Sequence, residues 1–331
     1  MWKVELATTS MQLRALDELT PSMEVDRTLL HMAAFGGTFP SRSIELWRRR
    51  SKMLVEYVGL FAVERGHVVG QTFVLRIPYT FRDGPEVVSG LAGVTTRPDR
   101  ARGGIARALL AEVHRREKEA GIRFITLWTN RSWGAHGLYE QLGYRDLYSS
   151  PWAVHAGTRP RRKGRSIPLV GRAHRGDLAE IEGLHAELAR GRLGFCQRPP
   201  AFLRTAALAG ELHPDKELLV ARAGGKLVGY AHLEQNPYRT VCGELVAASR
   251  AAKGALVSEV GRVANGTPFA FQHTPVTDDP RRFAGPGYST STRGWWGLMG
   301  CDLGRTWSSR DAIRQFATDD RRFLCLAGDR F

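Results

Sequence analysis

Cysteine is scarce in this sequence, and long apolar runs are missing altogether. Its 331 residues hold four cysteines, Cys196, Cys242, Cys301 and Cys325, none within a C-x-x-C pair. Such spacing fits neither a zinc site nor a dense disulfide framework, and a reducing, cytoplasmic setting is expected. The ten histidines form no H-x-x-x-H pair on a helical pattern, so no metal is expected. No apolar stretch approaches the roughly 18 residues that cross a bilayer. The start, with acidic Glu5 and no apolar core segment, does not read as a secretion signal. Neither a Gly-Lys-Ser/Thr loop nor G-x-G-x-x-G occurs, which excludes the two commonest nucleotide cradles.

An apolar share of 43% supports packed cores, and the length suits two domains. The formal net charge is +15, a field that attracts anions. Arginine is spread along the whole chain, so nucleic acid is not the expected partner. The densest basic run, Thr158 to Ser166, contains Pro and Gly but no interleaved aromatic residue, and it reads as a solvated linker. It divides residues 1–157 from 167–303, with 304–331 left as a tail.

Each part shows a similar order of elements. In the first, Trp2–Ala7 reads as a strand, Met11–Leu19 and Met23–Ala34 as helices, and Val58–Arg65 with Val68–Ile77 as a hairpin about Gly66-His67. Val87–Thr96 is a strand, and Ile105–Ala120 a helix with Ile105, Leu109, Leu110 and Val113 at helical spacing, closed by Gly121. Ile122–Thr129 and Ala135–Leu142 follow as strand and short helix. After the linker come strand Ile167–Arg172, helix Asp177–Ala189, and a hairpin of Leu218–Ala223 and Leu227–Leu233 about Gly224-Gly225. Strand Glu244–Ala248, helix Arg250–Val263 and strand Pro268–Gln272 complete the series. The fold class is therefore α/β in the α+β sense, with an internal duplication.

Chemistry concentrates in Val94 to Leu110. A strand ends near Thr96, an Arg- and Gly-rich turn follows, and a helix begins at Ile105. The first N–H groups of a helix lack internal partners and sit at the positive end of its dipole. Glycine lets a ligand approach the backbone closely. Ala101, Arg102, Gly103, Gly104, Ile105, Ala106 and Arg107 thus read as a cradle for a diphosphate.

A second segment, Asn130 to Tyr144, contains Ala135-His-Gly-Leu138-Tyr139 and then Gly143-Tyr144. With Thr96-Arg-Pro98 and Arg102-Gly103-Gly104-Ile105-Ala106, this pair of motifs resembles the GNAT superfamily of N-acetyltransferases. The resemblance implies tandem domains, each a mixed, mostly antiparallel sheet flanked by helices. It implies acetyl-CoA as co-substrate, with pantetheine pairing along Val94, Thr95 and Thr96 where that strand splays from its neighbour. Asn130 joins the cofactor-binding set, and Tyr139 takes the place of the family's general acid, protonating the leaving thiolate. One departure is Ala101, where the family has Gln or Arg; Arg100 or Arg102 is expected to make up the charge.

The strand before the turn carries no carboxylate to act as base. In this the chain is similar to the Eis-type (enhanced intracellular survival) aminoglycoside acetyltransferases, which pair an active GNAT domain with one lacking a cofactor site. That similarity implies the C-terminal carboxylate, here on Phe331, as base. Glu24, Asp26, Glu56 and His31 are rival bases. Only 28 residues follow Leu303, too few for the third domain usual in that branch. Ser249 to Gly254 stands where the second part would carry its turn and lacks the Gly-Ile step, so no CoA is expected there. The expected acceptor is a primary amine of a small molecule, possibilities including an aminoglycoside-like antibiotic, with no nucleic acid and no membrane partner; self-association is left open. A protein or peptide lysine is the alternative acceptor, and a non-catalytic CoA sensor or scaffold the alternative class. Trp133, Trp295 and Trp296 are expected in core packing.

Overall fold

The computed structural model describes residues 11–36, 41–50, 59–157, 168–272, 287–291, 294 and 296–325. Outside them lie the expected strand at Trp2–Ala7, the linker at 158–166, Glu56, Trp295 and Phe331. The chain packs into two compact units. One draws on Met1–Arg76, Val88–Leu127 and Asp302–Thr306, the other on Ile77–Val87, Trp128–Cys301 and Trp307–Phe331.

The first unit uses β1 (Gln12–Ala15), α1 (Pro21–Phe35), α2 (Ser41–Arg50), β2 (Gly59–Glu64), α3 (Ile105–Glu119) and most of β3 (His67–Phe81), β4 (Gly84–Thr96) and β5 (Phe124–Asn130), whose residues 77–87 and 128–130 count with the second, with strand order β1-β2-β3-β4-β5. The expected helix at Met11–Leu19 is instead a strand and a 3-10 turn at Leu16–Glu18. Gln12–Ala15 pair antiparallel with Val63–Leu60, and the Glu18 carboxylate closes the turn by accepting from the Ala15 N–H at 2.6 Å. A helix of two turns is marginal alone, whereas pairing at the sheet edge satisfies the backbone.

Helix α1 has the start and stop that its sequence calls for. Thr20 caps it, accepting from the Met23 N–H at 3.4 Å, Pro21 takes the first turn, and Gly36 ends it with φ +71°. Its inner face sends Met23 and Leu30 into a core with Phe61, Val63, Val68 and Phe73. Helix α3 buries Ile105, Leu109, Leu110 and Val113, the positions its periodicity selects. Its fully buried Glu117 accepts from Ser89 of β4 and from Arg76 at 3.4 Å, which ties the far end of the helix to the sheet.

The second unit continues with α4 (Gly134–Gln141), β6 (Arg145–Ser149), β7 (Trp152–His155), β8 (Leu169–Arg172), α5 (Leu178–Ala189), β9 (Leu193–Gly194), α6 (Phe202–Ala209), α7 (Pro214–Glu217), β10 (Leu218–Ala223), β11 (Lys226–Asn236), β12 (Arg239–Ala247), α8 (Arg250–Ala264), β13 (Phe269–Gln272), β14 (Tyr288–Ser291), β15 (Trp296–Asp302), α9 (Ser309–Phe316) and β16 (Phe323–Leu324). Seven strands form one sheet in the order β14-β7-β13-β12-β11-β10-β8, while β15 pairs with β6 and β16 with β9. Helix α8 packs on one face over Leu219, Ala231, Cys242 and Phe271, and α5 with α6 on another over Leu218, Val220 and Tyr230.

The two hairpins share one register. In the first, Gly59 opposes Phe73 and Ala62 opposes Gly70, with a bulge before Val63–Val68. In the second, Leu218 opposes His232 and Ala221 opposes Gly229, with the bulge before Arg222–Leu227. The parallel pairs also match: Ser89–Leu91 with Ile125–Leu127, and Thr240–Cys242 with Phe269–Phe271. A single backbone bond recurs, Arg97 N–H to Val69 C=O and Ala248 N–H to Val228 C=O, both 2.9 Å. These matches make Gly70 equivalent to Gly229, and Gly93 equivalent to Glu244.

Two stability predictions follow from this packing. A Cβ on Gly70 would lie 2.5 Å from Ile105 Cγ2 and 3.3 Å from the Thr95 carbonyl, so Gly70→Ala should destabilise the protein by about 1–3 kcal/mol in urea denaturation. In the second unit, burial holds the His185 imidazole down at about 4. Its folded value lies below its unfolded one, so its contribution is present above the unfolded value and fades as pH falls. Stability should drop by about 2 kcal/mol between pH 7 and pH 5 from this group, and a His185→Gln chain should lack that part of the slope.

Candidate functional site

The register of β4 places the site. Its pairing with β5 stops at Leu91–Leu127, yet β4 runs on to Thr96. Ala92 to Thr96 are half-buried and have no β5 partner, so this edge of the strand is bare among the described residues. Val94, Thr95 and Thr96, the expected pairing segment, lie on it. Gly93 sits at its head with φ +59°, and a Cβ there would meet the Phe73 ring at 2.7 Å. Thr96 Oγ1 is buried and has no hydrogen-bond partner among the described residues.

The turn after Thr96 is held by short local contacts. The Arg97 N–H donates to Val69 C=O at 2.9 Å, and the Arg97 guanidinium forks onto Asp99 at 2.6 and 2.8 Å. Arg100 pairs with Glu64. Arg100 is therefore committed, and of the two residues expected to replace the charge missing at Ala101 it is Arg102 that has no partner among the described residues. Arg102 takes φ +65° and Gly104 φ +80°, the left-handed region that costs glycine little. The amides of Ala101 and Gly103 turn inward, to Pro98 C=O at 3.2 Å and Arg100 C=O at 3.3 Å. The first bond of α3 runs from the Ala108 N–H to Gly104 C=O, and no side chain caps the helix. The N–H groups of Gly104, Ile105 and Ala106 thus have no partner among the described residues, and Arg107 adds a guanidinium in the same turn of helix. Backbone donors so placed at a helix start suit an anion.

The second repeat shows what removes such a site. Helix α3 starts at Ile105, which packs on Gly70; its equivalent Leu256 packs on Gly229. Helix α8, however, starts at Arg250, six positions before Leu256, and Ser249 caps it by accepting from the Ala252 N–H at 3.1 Å. Residues that form the open turn in the first repeat are helical here, and their amides are consumed.

The other sequence candidates fall as follows. Asn130 ends β5, and its side-chain oxygen accepts from the N–H and Oγ of Ser132 at 2.9 and 2.7 Å. Tyr139 lies on α4, 6% exposed, its ring edge-on to Tyr144 at 5.6 Å, and burial pushes its phenol up to about 12. Both belong to the second unit. Among the rival bases, Glu24 is paired with Arg27 at 2.8 Å and Asp26 with His67 at 3.0 Å. His31 is held below the ordinary histidine value by burial and then by Arg27, so it is neutral at pH 7. Its Nδ1 lies 3.1 Å from Gln71 Nε2, and its Cε1 3.7 Å from where a Gly93 Cβ would stand. Gln71 and Gly93 escaped the sequence reading, because nothing but the pairing register brings them to His31. Trp133 meets Trp296 edge-on at 5.1 Å but is 46% exposed.

Residues 16–146 match the family model of the acetyltransferase (GNAT) domain. This segment is a GNAT acetyltransferase domain. The class is that of the N-acetyltransferases, and solved structures of similar fold agree. A probable N-acyltransferase from Enterococcus faecalis V583 shares 14% identity, over 89% of this chain and 73% of its own, with a TM-score of 0.63. A GCN5-related N-acetyltransferase from Kribbella flavida shares 19%, over 87% and 70%, at 0.59. Eis1 from Mycobacterium abscessus shares 18%, over 89% and 74%, at 0.55. Among curated proteins no sequence matches significantly. At these identities the structural likeness is one of fold.

The open α3 terminus should respond to strain in its own turn. Gly104→Ala has space for its methyl but must hold φ +80°, at a cost of about 1 kcal/mol. Calorimetric titration of coenzyme A should show several-fold weaker binding, with the thermal midpoint of the free protein shifted by only a few degrees.

Proposed function

We propose that the chain transfers an acetyl group from acetyl-CoA to a primary amine of a small molecule. The observation that carries this reading is the bare β4 edge running directly into an uncapped helix start. Ala92–Thr96 offer extended backbone that suits pairing with the pantetheine amides, and the N–H groups of Gly104–Ala106 with Arg102 suit the diphosphate. The net charge of +15 favours the same polyanion. Residues 1–157 are read as the catalytic copy and 167–303 as a copy without a CoA site, the latter supported by the consumed amides at the start of α8.

In the transfer, the nitrogen lone pair attacks the thioester carbonyl, the C–S bond breaks, and the nitrogen gives up one proton. Tyr139 is assigned as the acid on its family position. With its phenol near 12 it keeps its proton throughout the neutral range. A thiol has a reference value of about 8.5, well below that phenol, so Tyr139 stabilises the departing thiolate as a hydrogen-bond donor, and the thiolate takes its proton from solvent as the thiol leaves. The proton lost from nitrogen goes to a base, for which the Phe331 carboxylate and neutral His31 are the two assignments. Phe331 rests on the resemblance of the chain's end, and His31 on its charge state and its place beside Gly93.

Thiol release from acetyl-CoA with a panel of amines tests the reaction. Tyr139→Phe should lower kcat by about 100-fold or more while leaving coenzyme A affinity within twofold; unchanged turnover would remove the acid assignment. Deleting Phe331 and, separately, making His31→Gln should give one collapse in kcat and one modest change, and the collapse names the base. Tight coenzyme A binding without turnover of any amine would point to a sensor instead.

A further inference from the structure

The second unit holds a cavity of its own, with a volume of about 650 Å³. Helix α5, the segment 190–200 and the start of α6 enclose it, with Thr80 of β3. All the residues that line it belong to that one unit. The size suits a small organic molecule. Nothing in the acetyl-transfer reading uses this space.

Its lining is apolar along the walls and basic at the edge. Ala186, Ala189, Pro199, Pro200 and Leu203 supply the apolar surface. Arg190 is exposed, and its side chain has no partner among the described residues. Arg192 spends one long bond on the Arg321 C=O, at 3.4 Å. His185 also lines the cavity, only 3% exposed, and its Nε2 is buried with no hydrogen-bond partner among the described residues. A polar atom left so is a place where a ligand can recover free energy.

Charge decides what that ligand is. Glu182 is the one carboxylate in the lining, and it is engaged: Oε1 accepts from the N–H groups of Leu203 and Arg204 at 2.9 and 3.3 Å, and Oε2 faces the Arg204 guanidinium at 3.7 Å. Arg198 pairs with Glu244 and stands over the Phe202 ring at 5.2 Å, so that pair is closed. Arg190 and Arg192 are left as fixed positive charge, since a guanidinium does not lose its proton. An amine would meet like charge there. The leading amides of α6 are taken by Glu182, so no backbone cradle like that of α3 is on offer, and a diphosphate does not fit. One anionic group on an apolar body does.

We infer that the second unit binds an organic monocarboxylate in this cavity, with the carboxylate on Arg190 and Arg192, the aliphatic or aromatic body along Ala186, Ala189 and Leu203, and the far end against His185. This site is separate from the bare β4 edge and the start of α3. It gives the copy with the consumed α8 amides a ligand of its own. Burial and Arg198 hold His185 neutral at pH 7, so an apolar end can approach it without facing a buried charge.

Calorimetry on the full chain tests this with 4-phenylbutyrate and its uncharged amide, 4-phenylbutyramide. The carboxylate should bind about tenfold more tightly than the amide. The double variant Arg190→Ala, Arg192→Ala should erase that difference and leave the amide as it was. Ala186→Trp, at an exposed helix position, should fill the space and abolish binding of both, with the thermal midpoint of the free protein moved by only a few degrees. In proton NMR the His185 ring signals, assigned by their loss in His185→Gln, should shift on addition of 4-phenylbutyrate. Absence of binding, equal affinity for carboxylate and amide, or binding unmoved by Ala186→Trp overturns the inference. Displacement of 4-phenylbutyrate by coenzyme A overturns it too, since the carboxylate would then sit at the start of α3. None of these results bears on acetyl transfer, which the thiol-release assay decides separately.

Discussion

The close approach of a helix to a strand at one glycine governs the rest of the first unit. Gly70 lets Ile105, the first residue of α3, touch β3. A helix anchored at its first residue has no earlier turn to absorb its leading amides, and its dipole ends where β4 runs out. The second unit keeps the approach, with Leu256 on Gly229, but enters the contact six residues into the helix. The same packing thus yields an anion site or a plain helix, depending on where the chain begins to coil. Gly93 and Glu244 extend the contrast. One position holds no side chain beside a bare edge; the other holds a carboxylate bound to Arg198 and to Tyr230 at 3.0 Å.

Electrostatics within the turn follow the same economy of parts. Of its arginines, Arg97 and Arg100 serve the turn's own shape through Asp99 and Glu64, and their charge is largely cancelled. Arg102 retains its charge at the surface. A net positive chain draws anions from a distance, but orientation comes from fixed peptide dipoles, which do not depend on side-chain rotamers. The N–H groups of Gly104, Ile105 and Ala106 do not depend on the side chain at Ala101, while the amides of Ala101 and Gly103 are spent on Pro98 and Arg100.

Much of this was readable beforehand. Helix α3, its Gly121 stop, both hairpins and the repeated element order are written in periodicity and turn residues. Gln12–Ala15 was misread as helix because its strand character comes only from pairing with β2, a partner some fifty residues away. Helix α2 has no counterpart in the sequence reading, since a segment with four arginines and three apolar residues, Ile44, Leu46 and Trp47, shows a narrow stripe. The meeting of His31, Gln71 and Gly93 depends on strand register, which composition does not fix. In α1 the expected helix at Met23–Ala34 says nothing of which apolar residues face outward, and exposure shows that Val25, Leu29, Met32 and Phe35 do.

Among the described residues the parallel pairing runs to Leu91 in one copy and to Cys242 in the other. An unpaired strand edge is a template for intruding chains. Glu244 sets a buried charge beside it. A buried carboxylate held by Arg198 and Tyr230 beside a strand edge disfavours the pairing of a further strand there.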